Sequence, residues 1–414
     1  RVNYLVDEKQ LRPNERNSKD ETCLHKAAWG GQLAVVRKLI EKGGDISARN
    51  ENGRSPVSYA AYGPNGNITG HIDVVKYFLD ERKADLRQRD HNGYTLLHNA
   101  IWNSASGVAI YLVQEKAMDP NERDKDGDTA LHKAAWNGLP AAAKVFVEKG
   151  ADINAKNRNG KTPVFYAARG GNSPGHFAVI KYFIDEKKVS VNQTDRKGHT
   201  LLHQACASGA VDVIKYLTEE KGLDLNERDN DGDTCMHKAS FNGQVDAVKA
   251  LIEKRMDINA RNNQGDTPLH KAVWNGQMTA VKLLTEKGAD MDSRNNNGRT
   301  PVYCAVYAPR GRTAGYLNIL RYFLDEKNEN IKQTDNGGNS LLDQAAYSNV
   351  LDVAKYLVEE KGVDINVKDN GGITPLTEAL NQNNMQVARY LESKGARRNR
   401  RRREAPSVSD QLNK

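Results

Sequence analysis

Histidine and acidic side chains are the groups of this chain that could bind a metal ion or catalyse a reaction. The sequence contains 10 histidines and 53 acidic residues. Asp-x-Asp-Gly strings, such as residues 124–127 and 229–232, resemble the start of a calcium-binding loop. They lack the remaining ligand spacing and the bidentate Glu at the twelfth position. Turn formation, in which Gly supplies a positive φ, explains these strings better.

The histidines lack the spacing of a catalytic or metal site. Six of them share one place in a repeated motif: His25, His98, His132, His203, His237 and His270. His71 and His176 fall in Gly-rich loops, and His91 and His199 fall in turns, without a second ligand at metal-binding spacing. Phosphate-loop, zinc-protease, dinucleotide-binding and serine-hydrolase motifs do not occur. We therefore expect no enzyme activity, no metal and no cofactor.

A unit of about 33 residues positions these histidines. In the unit 124–154, Thr129 can cap a short helix, and Ala134 and Ala135 are small enough to let a neighbouring helix approach. A second apolar helix follows, and Lys149-Gly150 ends it. One such unit cannot bury its own apolar face, so it requires copies on both sides. The opening Thr or Ser recurs at Thr22, Ser55, Thr95, Thr129, Thr162, Thr200, Thr234, Thr267, Thr300, Ser340 and Thr374.

The motif at Thr267–Ala272, Thr-Pro-Leu-His-Lys-Ala, matches the T-P-L-H-x-A signature of the ankyrin repeat. Thr22–Ala27 and Thr129–Ala134 each differ from it by one letter. The chain thus resembles the ankyrin repeat family, with about eleven repeats and a partial one at the N-terminus. The resemblance implies an all-α solenoid of helix-turn-helix pairs with short β-hairpin-like turns. It also implies that the motif His bonds to the backbone of a neighbouring turn.

Three segments are expected along the chain. Residues 1–21 resemble the end of a preceding repeat, so we expect a fragment of a longer array. Residues 22–396 form the repeats, and residues 397–414 form an Arg-rich tail. The last repeat, 374–396, is more polar and includes Glu378, which suits a C-terminal cap.

The repeats also fall into three classes. One class contains His-Lys-Ala, a second ends in Tyr-Phe-Leu/Ile-Asp-Glu, and a third begins with Thr/Ser-Leu-Leu. Repeats of the second class carry Gly- and Pro-rich insertions at 63–69, 170–174 and 308–313. We expect these insertions to be exposed loops, either neutral in function or part of a binding surface.

Aromatic residues recur at one position of the repeat, four residues after the motif His. Eight of the eleven repeats have an aromatic residue there: Trp29, Tyr62, Trp102, Trp136, Phe241, Trp274, Tyr307 and Tyr347. We call these eight residues the aromatic ladder. The position is expected to end the first helix, which the resemblance places on a concave partner-binding surface. Such rings either contact a partner, as interface hot spots do, or pack on the next repeat.

Basic residues accompany the ladder and end the chain. Lys26, Lys133, Lys238 and Lys271 each precede a ladder residue by three positions, so cation–π pairing and partner contacts are expected. The tail contains Arg397, Arg398, Arg400, Arg401, Arg402 and Arg403. The net charge is +8, and without residues 397–414 the chain has 54 basic and 51 acidic residues, a charge of +3. Only the tail therefore suits nucleic acid or an acidic protein surface.

The favoured function is a non-catalytic scaffold that binds a protein partner along the concave repeat surface. Two alternatives stay open: an architectural part of a large cytoskeletal or axonemal assembly, and attachment to nucleic acid or an acidic surface through the tail. No small-molecule substrate or membrane span is expected, since no run of 18 apolar residues occurs. Four scattered cysteines without a C-x-x-C pair suggest a reducing, intracellular location, cytoplasmic first, with cytoskeletal or nuclear sites open.

Overall fold

Pairs of short helices build the whole described part of the chain. The computed structural model describes residues 12–63, 68–170, 173–307 and 313–398. These residues divide into two compact units, the first made of 12–205 with 210–223 and the second of 206–209 with 224–398. Each repeat contributes a short first helix and a second helix.

The first unit contains both helices of several repeats. Its first helices are Cys23–Trp29, Pro56–Tyr62, Leu96–Trp102, Ala130–Trp136, Pro163–Arg169 and most of Leu201–Ser208. Its second helices are Leu33–Glu41, Ile68–Lys76, Ser106–Gln114, Pro140–Glu148, Pro174–Lys181 and Val211–Lys215. Three of these second helices continue as wider π-helical turns, at Tyr77–Glu81, Tyr182–Glu186 and Tyr216–Glu220.

The second unit has the same construction. Its first helices are Cys235–Phe241, Pro268–Trp274, Pro301–Cys304, Leu341–Ser348 and Pro375–Asn381. Its second helices are Val245–Glu253, Met278–Glu286, Thr313–Arg321, Leu351–Lys355 and Met385–Ser393. π-Helical turns follow two of them, at Tyr322–Glu326 and Tyr356–Glu360.

The motif Thr and His start the first helix together. At Ala130–Trp136, the Thr129 N–H donates to His132 Nδ1 over 3.1 Å, and the Thr129 hydroxyl lies 2.9 Å from the same nitrogen. This is a capping box in which His replaces the usual Glu. It satisfies polar groups that the start of a helix leaves without partners. The Thr therefore caps the helix as the sequence predicts.

Small apolar residues let the first helices approach one another. Leu131, Ala134 and Ala135 are completely buried, and so are Val164 and Ala167 of the next first helix. The two helices are in direct contact. Alanine at these positions keeps side-chain volume small, and each buried Leu or Val stabilises the stack by about 1.5–3 kcal/mol. The close approach predicted for Ala134 and Ala135 is confirmed.

Side chains and glycine close the turns between repeats. Asp124 Oδ1 accepts the backbone N–H groups of Asp126 and Asp128, both over 2.9 Å, and Gly127 adopts φ +79°. The Asp-x-Asp-Gly string thus forms a turn, as predicted. The N–H of Arg158 donates to the Asp126 carbonyl over 3.0 Å, which links this turn to the next one. An isolated bridge between residues 334 and 340 is the sole β-pairing in the described residues, so the hairpin-like turns build no sheet there.

One extra residue of the longer repeats is absorbed in the π-helical turns. In the turn Tyr216–Glu220, the N–H of Lys221 donates to the Tyr216 carbonyl, five residues back, over 3.2 Å. The repeat that begins at Thr200 is 34 residues long, whereas the repeat at Thr129 has 33 and an ordinary second helix. A π-helical turn accommodates one additional residue without breaking the helix. The sequence spacing alone had not indicated where this residue lies.

Several predicted features lie partly outside the described residues. These are residues 1–11 of the N-terminal segment, residues 64–67, 171–172 and 308–312 of the three insertions, and residues 399–414 of the tail.

Candidate functional site

The ladder residues occupy the C-terminal ends of first helices. Trp29, Tyr62, Trp102, Trp136, Phe241 and Trp274 are the last residues of their helices, as predicted. Two members depart from this rule. Tyr347 is the penultimate residue of Leu341–Ser348, and Tyr307 lies three residues beyond the short helix Pro301–Cys304.

Most ladder rings are substantially exposed. The exposed fractions of the residues are 42% for Trp29 and Trp102, 38% for Trp136, 36% for Phe241, 40% for Trp274 and 47% for Tyr347. Tyr62 and Tyr307 are half-buried. Each ring therefore has one part that packs on the protein and another that faces outward.

Backbone carbonyls at these helix ends are bound by side chains of the following repeat. The Asn137 amide donates to the Trp102 carbonyl over 3.2 Å, and the Asn275 amide donates to the Phe241 carbonyl over 2.7 Å. In the repeats with insertions, His176 Nε2 lies 2.7 Å from the Trp136 carbonyl and takes the same role. The helix ends that carry the rings are thus fixed. His71 and Tyr316 make the equivalent contacts with the carbonyls of Trp29 and Trp274.

His71 and His176 lie in the second helices Ile68–Lys76 and Pro174–Lys181, so their predicted placement in loops is wrong, and each makes a structural contact that sequence reasoning missed. The sequence assigned His71 and His176 no partner. In the structure each imidazole binds a carbonyl about 40 residues back along the chain, at the end of a ladder helix. Their matching positions in two repeats of one class were the available signal.

The four ladder-associated lysines are ion-paired in the structure. Lys133 Nζ lies 2.6 Å from Asp128 and 3.1 Å from Asp124, and its side chain is only 6% exposed. Its ammonium lies over the ring of Trp102, 5.2 Å from the centroid, rather than over Trp136 of its own repeat. The pairing predicted from the three-residue spacing is therefore wrong for Lys133, because the neighbouring ring comes from the preceding repeat. Burial also removes Lys133 from the surface that a partner could touch.

The other three lysines also form ion pairs. Lys26 pairs with Glu21 over 2.6 Å, Lys238 pairs with Asp229 over 2.5 Å, and Lys271 pairs with Asp233 over 3.4 Å. Burial lowers the pKa of Lys238, but the carboxylates of Asp229 and Asp233 raise it by more. The pKa of Lys238 therefore lies above its usual value. Each of these three lysines thus forms an ion pair with an acidic side chain.

Arginines approach other ladder rings. The guanidinium of Arg54 lies 4.7 Å from the ring of Tyr62, and that of Arg169 lies 5.2 Å from the ring of Trp136. Arg299 lies 5.6 Å from the ring of Tyr307. Cation–π contacts of this kind contribute about 0.5–1 kcal/mol at exposed sites.

A second set of aromatic residues lies on the second helices and is buried. Tyr356 is 2% exposed, and its hydroxyl donates to Asp325 Oδ1 over 2.8 Å. Lys361 also pairs with this carboxylate. The same Tyr–Asp–Lys triad recurs as Tyr216, Asp185 and Lys221, and as Tyr111, Asp80 and Lys116. The Asp belongs to the Tyr-Phe-Leu/Ile-Asp-Glu motif, so this motif joins two successive repeats.

The motif histidines are structural, as the resemblance implied. His132 Nε2 lies 3.0 Å from the Lys161 carbonyl, and His98 Nε2 lies 3.1 Å from the Asp128 carbonyl. Since Nδ1 accepts from the cap residue, Nε2 carries the proton and donates to the next turn. Burial lowers the pKa of His98 to about 4 and lowers the pKa of His132 as well. Both imidazoles are therefore neutral at neutral pH.

A cavity opens between two ladder residues of the second unit. Its volume is about 340 Å³, and Tyr307, Tyr347, Asp343 and Glu378 contribute to its lining together with Arg299, Asn339 and Gln344. Asp343 replaces the motif His in this repeat. Its Oδ2 accepts the N–H of Ser340 over 2.8 Å and the hydroxyl over 2.7 Å. Burial raises the pKa of Asp343 to about 6, and the nearby charges of Asp369 and Glu378 add to the rise.

The remaining sequence-predicted groups are placed as follows. Arg398 pairs with Glu392 over 2.8 Å, and the N–H of Arg397 donates to Asn366 over 2.7 Å. Arg400, Arg401, Arg402 and Arg403 lie outside the described residues. The four cysteines are free thiols, of which Cys206, Cys235 and Cys304 are buried.

Searches for a metal cluster and a membrane span give two negative findings. Within residues 12–63, 68–170, 173–307 and 313–398, no group of three or more His, Cys, Asp or Glu side chains is arranged to hold a metal ion. Over the same described ranges, no helix combines the length and apolarity required to cross a bilayer.

Stacked helix pairs, glycine turns and a capping His define a helical-repeat protein. The family model of ankyrin repeats, three copies long, matches eight overlapping stretches: residues 1–90, 24–124, 67–157, 154–229, 221–295, 259–335, 280–369 and 312–402. The chain belongs to the ankyrin repeat family. Repeats of this family generally mediate protein–protein interaction and are generally non-enzymatic.

Curated relatives share parts of the array. Alpha-latrocrustotoxin-Lt1a of Latrodectus tredecimguttatus is 30% identical over 210 residues, covering 51% of this chain and 12% of the toxin. Palmitoyltransferase AKR1 of Lachancea kluyveri is 27% identical over 187 residues, covering 45% of this chain and 20% of the enzyme. The NF-kappa-B inhibitor cactus of Drosophila yakuba is 35% identical over 82 residues, covering 19% of this chain and 16% of the inhibitor. The matches span at most a fifth of these relatives' lengths, and one relative is an enzyme with ankyrin repeats.

Proposed function

We propose that this chain is a non-catalytic scaffold whose aromatic ladder contacts a protein partner. The observation that carries this proposal is the regular exposure of large rings, between 36% and 47% for six ladder residues. Contact hot spots are enriched in Trp and Tyr, since these rings offer large, rigid area. The name of one relative, an inhibitor of NF-kappa-B, is consistent with a protein ligand for such repeats.

The ladder suits a partner because its supporting framework is satisfied without one. Side chains of the following repeats bind the carbonyls at the ladder helix ends, as Asn275 does for Phe241. Side chains on fixed helix ends lose little conformational freedom on binding, so more of the contact energy appears as affinity. An extended peptide or a helix could lie across successive rings.

Site-directed photo-crosslinking tests this proposal. Phe241 is replaced by the photoreactive p-benzoylphenylalanine, and the full chain is irradiated in a native cell extract. A matched control has the same replacement at Lys249, an exposed residue of the second helix Val245–Glu253. We expect discrete protein adducts from position 241 and far fewer from position 249.

Two results would count against the ladder as the partner surface. One is equal adduct formation at both positions, and the other is adduct formation confined to position 249. An unfolding midpoint close to that of the unmodified chain is required for both variants, because local unfolding would expose either position artificially.

A further inference from the structure

The cavity between Tyr307 and Tyr347 combines an exposed ring with two acidic groups, the buried Asp343 and the half-buried Glu378. We infer that it binds the side chain of a lysine or arginine in an extended segment of the protein partner. This inference rests on the proposed function, since it names the chemistry of the partner at one end of the aromatic ladder. The inference follows from a comparison of two places where one repeat meets the next. At both places the residues that are compared occupy equivalent positions of the repeat.

The first boundary lies in the first unit and contains its own cation. Lys133, four residues after Thr129, places its ammonium 5.2 Å from the ring of Trp102, the ladder residue of the preceding repeat. Asp124 and Asp128 lie 3.1 and 2.6 Å from this ammonium. An aromatic face and carboxylates thus hold a buried cation at this position of the repeat.

The corresponding boundary in the second unit has an acid in place of that lysine. Glu378 stands four residues after Thr374, and the preceding ladder residue is Tyr347. Throughout the described part of the chain, no cation lies over the Tyr347 ring, which is the most exposed of the ladder at 47%. The ring and the acid therefore remain without the cation that Lys133 supplies elsewhere.

Asp343 adds a buried acceptor to the same cavity. Only 2% of the residue is exposed, it lines the cavity, and its Oδ2 accepts from the N–H and the hydroxyl of Ser340. The equivalent His98 donates to the carbonyl of the following turn. A carboxylate has two oxygens that can accept, so a cationic donor from a ligand can form a charge-assisted hydrogen bond with Asp343. Asp343 is therefore an acidic acceptor in the lining of the cavity, at the position where His98 is a donor.

The charges around the cavity favour a cation. Asp343 and Glu378 line it, and Arg299 is the cation of its lining. The Arg299 guanidinium lies 3.7 Å from Asp335 and 5.6 Å from the ring of Tyr307. Asp335 thus offsets this charge, and no ion pair joins Asp343 or Glu378 to a cation within the part of the chain that the structure describes.

Size and chemistry select a side chain as the ligand. A volume of about 340 Å³ is at the lower end of ligand pockets, suited to one long side chain and its neighbours. Lys and Arg side chains combine an apolar stem, which can pack on Tyr347, with a cation for the carboxylates. The occupant is thus an extended basic segment, with one Lys or Arg inserted between the two tyrosines.

Saturation-transfer difference NMR on the full chain tests the inference, because this method detects weak peptide ligands. The probes are the heptapeptide Gly-Ser-Gly-Lys-Gly-Ser-Gly and the same peptide with norleucine in place of lysine. We expect signals at the lysine methylene groups at least about fivefold stronger than at the norleucine methylene groups, since only the former carries the cation. Glu378→Lys should reduce the lysine signal by about fivefold, since it installs the arrangement of Lys133.

Matched variants separate the site from general charge and folding effects. Asp352→Lys makes the same charge change at an exposed position of the second helix Leu351–Lys355 and should retain the signal. Glu378→Gln preserves the shape of the side chain and should give an intermediate signal. Tyr347→Phe should retain binding, whereas Tyr347→Ala should lose it.

Three outcomes would overturn the inference. The first is equal signals from the lysine and norleucine peptides, and the second is unchanged binding in Glu378→Lys. The third is a signal seen only in a chain ending at Ala396, which would assign the cavity to the chain's own Arg-rich segment. If crosslinking at position 241 persists in any of these cases, the proposed function stands; lysine binding without crosslinking would contradict the proposed function instead.

Discussion

Two sets of aromatic residues repeat along this chain, and their surroundings differ completely. The second-helix tyrosines, such as Tyr216 and Tyr356, are 1–2% exposed and donate to an aspartate of the preceding repeat. The ladder residues are up to 47% exposed and cover the ends of the first helices. Recurrence at one repeat position therefore indicates a shared role, but burial and polar partners decide whether that role is stability or binding.

The matched pair Tyr356→Ala and Tyr347→Ala should separate these roles most strongly. Truncation of the buried Tyr356 leaves a cavity and removes the hydrogen bond to Asp325, so the free energy of unfolding should fall by about 3–5 kcal/mol. Truncation of the exposed Tyr347 should cost no more than about 1 kcal/mol. Urea denaturation of each full-length variant measures both values. Comparable losses in the two variants would contradict the division between the two sets.

Acid should affect the two repeat boundaries in opposite directions. Burial lowers the pKa of His98 to about 4, so its contribution to stability is present above about 6.5 and is lost as the pH falls toward 4. Burial raises the pKa of Asp343 to about 6, so its contribution is present below about 4 and is lost as the pH rises through 6.

Unfolding measurements at pH 4 and pH 7 check these signs. Relative to the wild type, Asp343→Asn should gain about 2–3 kcal/mol between pH 4 and pH 7, as a pKa difference of about two implies. His98→Asn should show the reverse trend. The groups facing Asp343 are Glu378 and Arg299 of the cavity and Asp369 of the following turn, and they are unchanged in both variants. A parallel pH dependence in the two variants would disprove the assignment.

The hydroxyl of a buried tyrosine should contribute less than its ring. Tyr356→Phe preserves the packing and removes the 2.8 Å hydrogen bond to Asp325. Because Lys361 still pairs with Asp325, we expect a loss of about 1 kcal/mol in urea denaturation. Tyr347→Phe is the matched control and should change stability by less than about 0.5 kcal/mol. A loss of more than about 3 kcal/mol of unfolding free energy for Tyr356→Phe would match a strong hydrogen bond to a charged group. It would show that the Tyr–Asp–Lys triad contributes more to stability than expected here.

The repeat fold and the ladder position could be predicted from the sequence, because both depend on local signals. Thr129, His132 and Gly127 fix a helix start and a turn within a few residues, and Trp136 ends the same helix. The neighbours of the lysines could not be predicted this way. Lys133 contacts the ring of Trp102 because the stacking of adjacent repeats brings together residues that are 31 positions apart in the sequence. The spacing of residues within one repeat does not indicate that contact.

Other features were visible in the sequence but required alignment of the repeats with one another. Asp343 stands where other repeats have His, and Glu378 stands where Lys133 does. Interpreted alone, Glu378 suggested only a polar cap. The π-helical turn at Tyr216–Glu220 could not be predicted for a different reason. The length of this repeat, 34 residues, shows that there is one extra residue but does not indicate its position within the repeat.

The most direct test of the ladder is the affinity of the crosslinked partner for the double variant Trp102→Ala with Trp136→Ala. Its control is Glu41→Ala with Glu148→Ala, two exposed residues of second helices. If the ladder binds the partner, the tryptophan variant should bind at least about tenfold more weakly, as loss of a hot spot implies. Its midpoint of thermal unfolding should stay within a few degrees, and the control should bind normally. Unchanged affinity together with a large loss of stability would show that the tryptophans stabilise the repeats and would contradict the account.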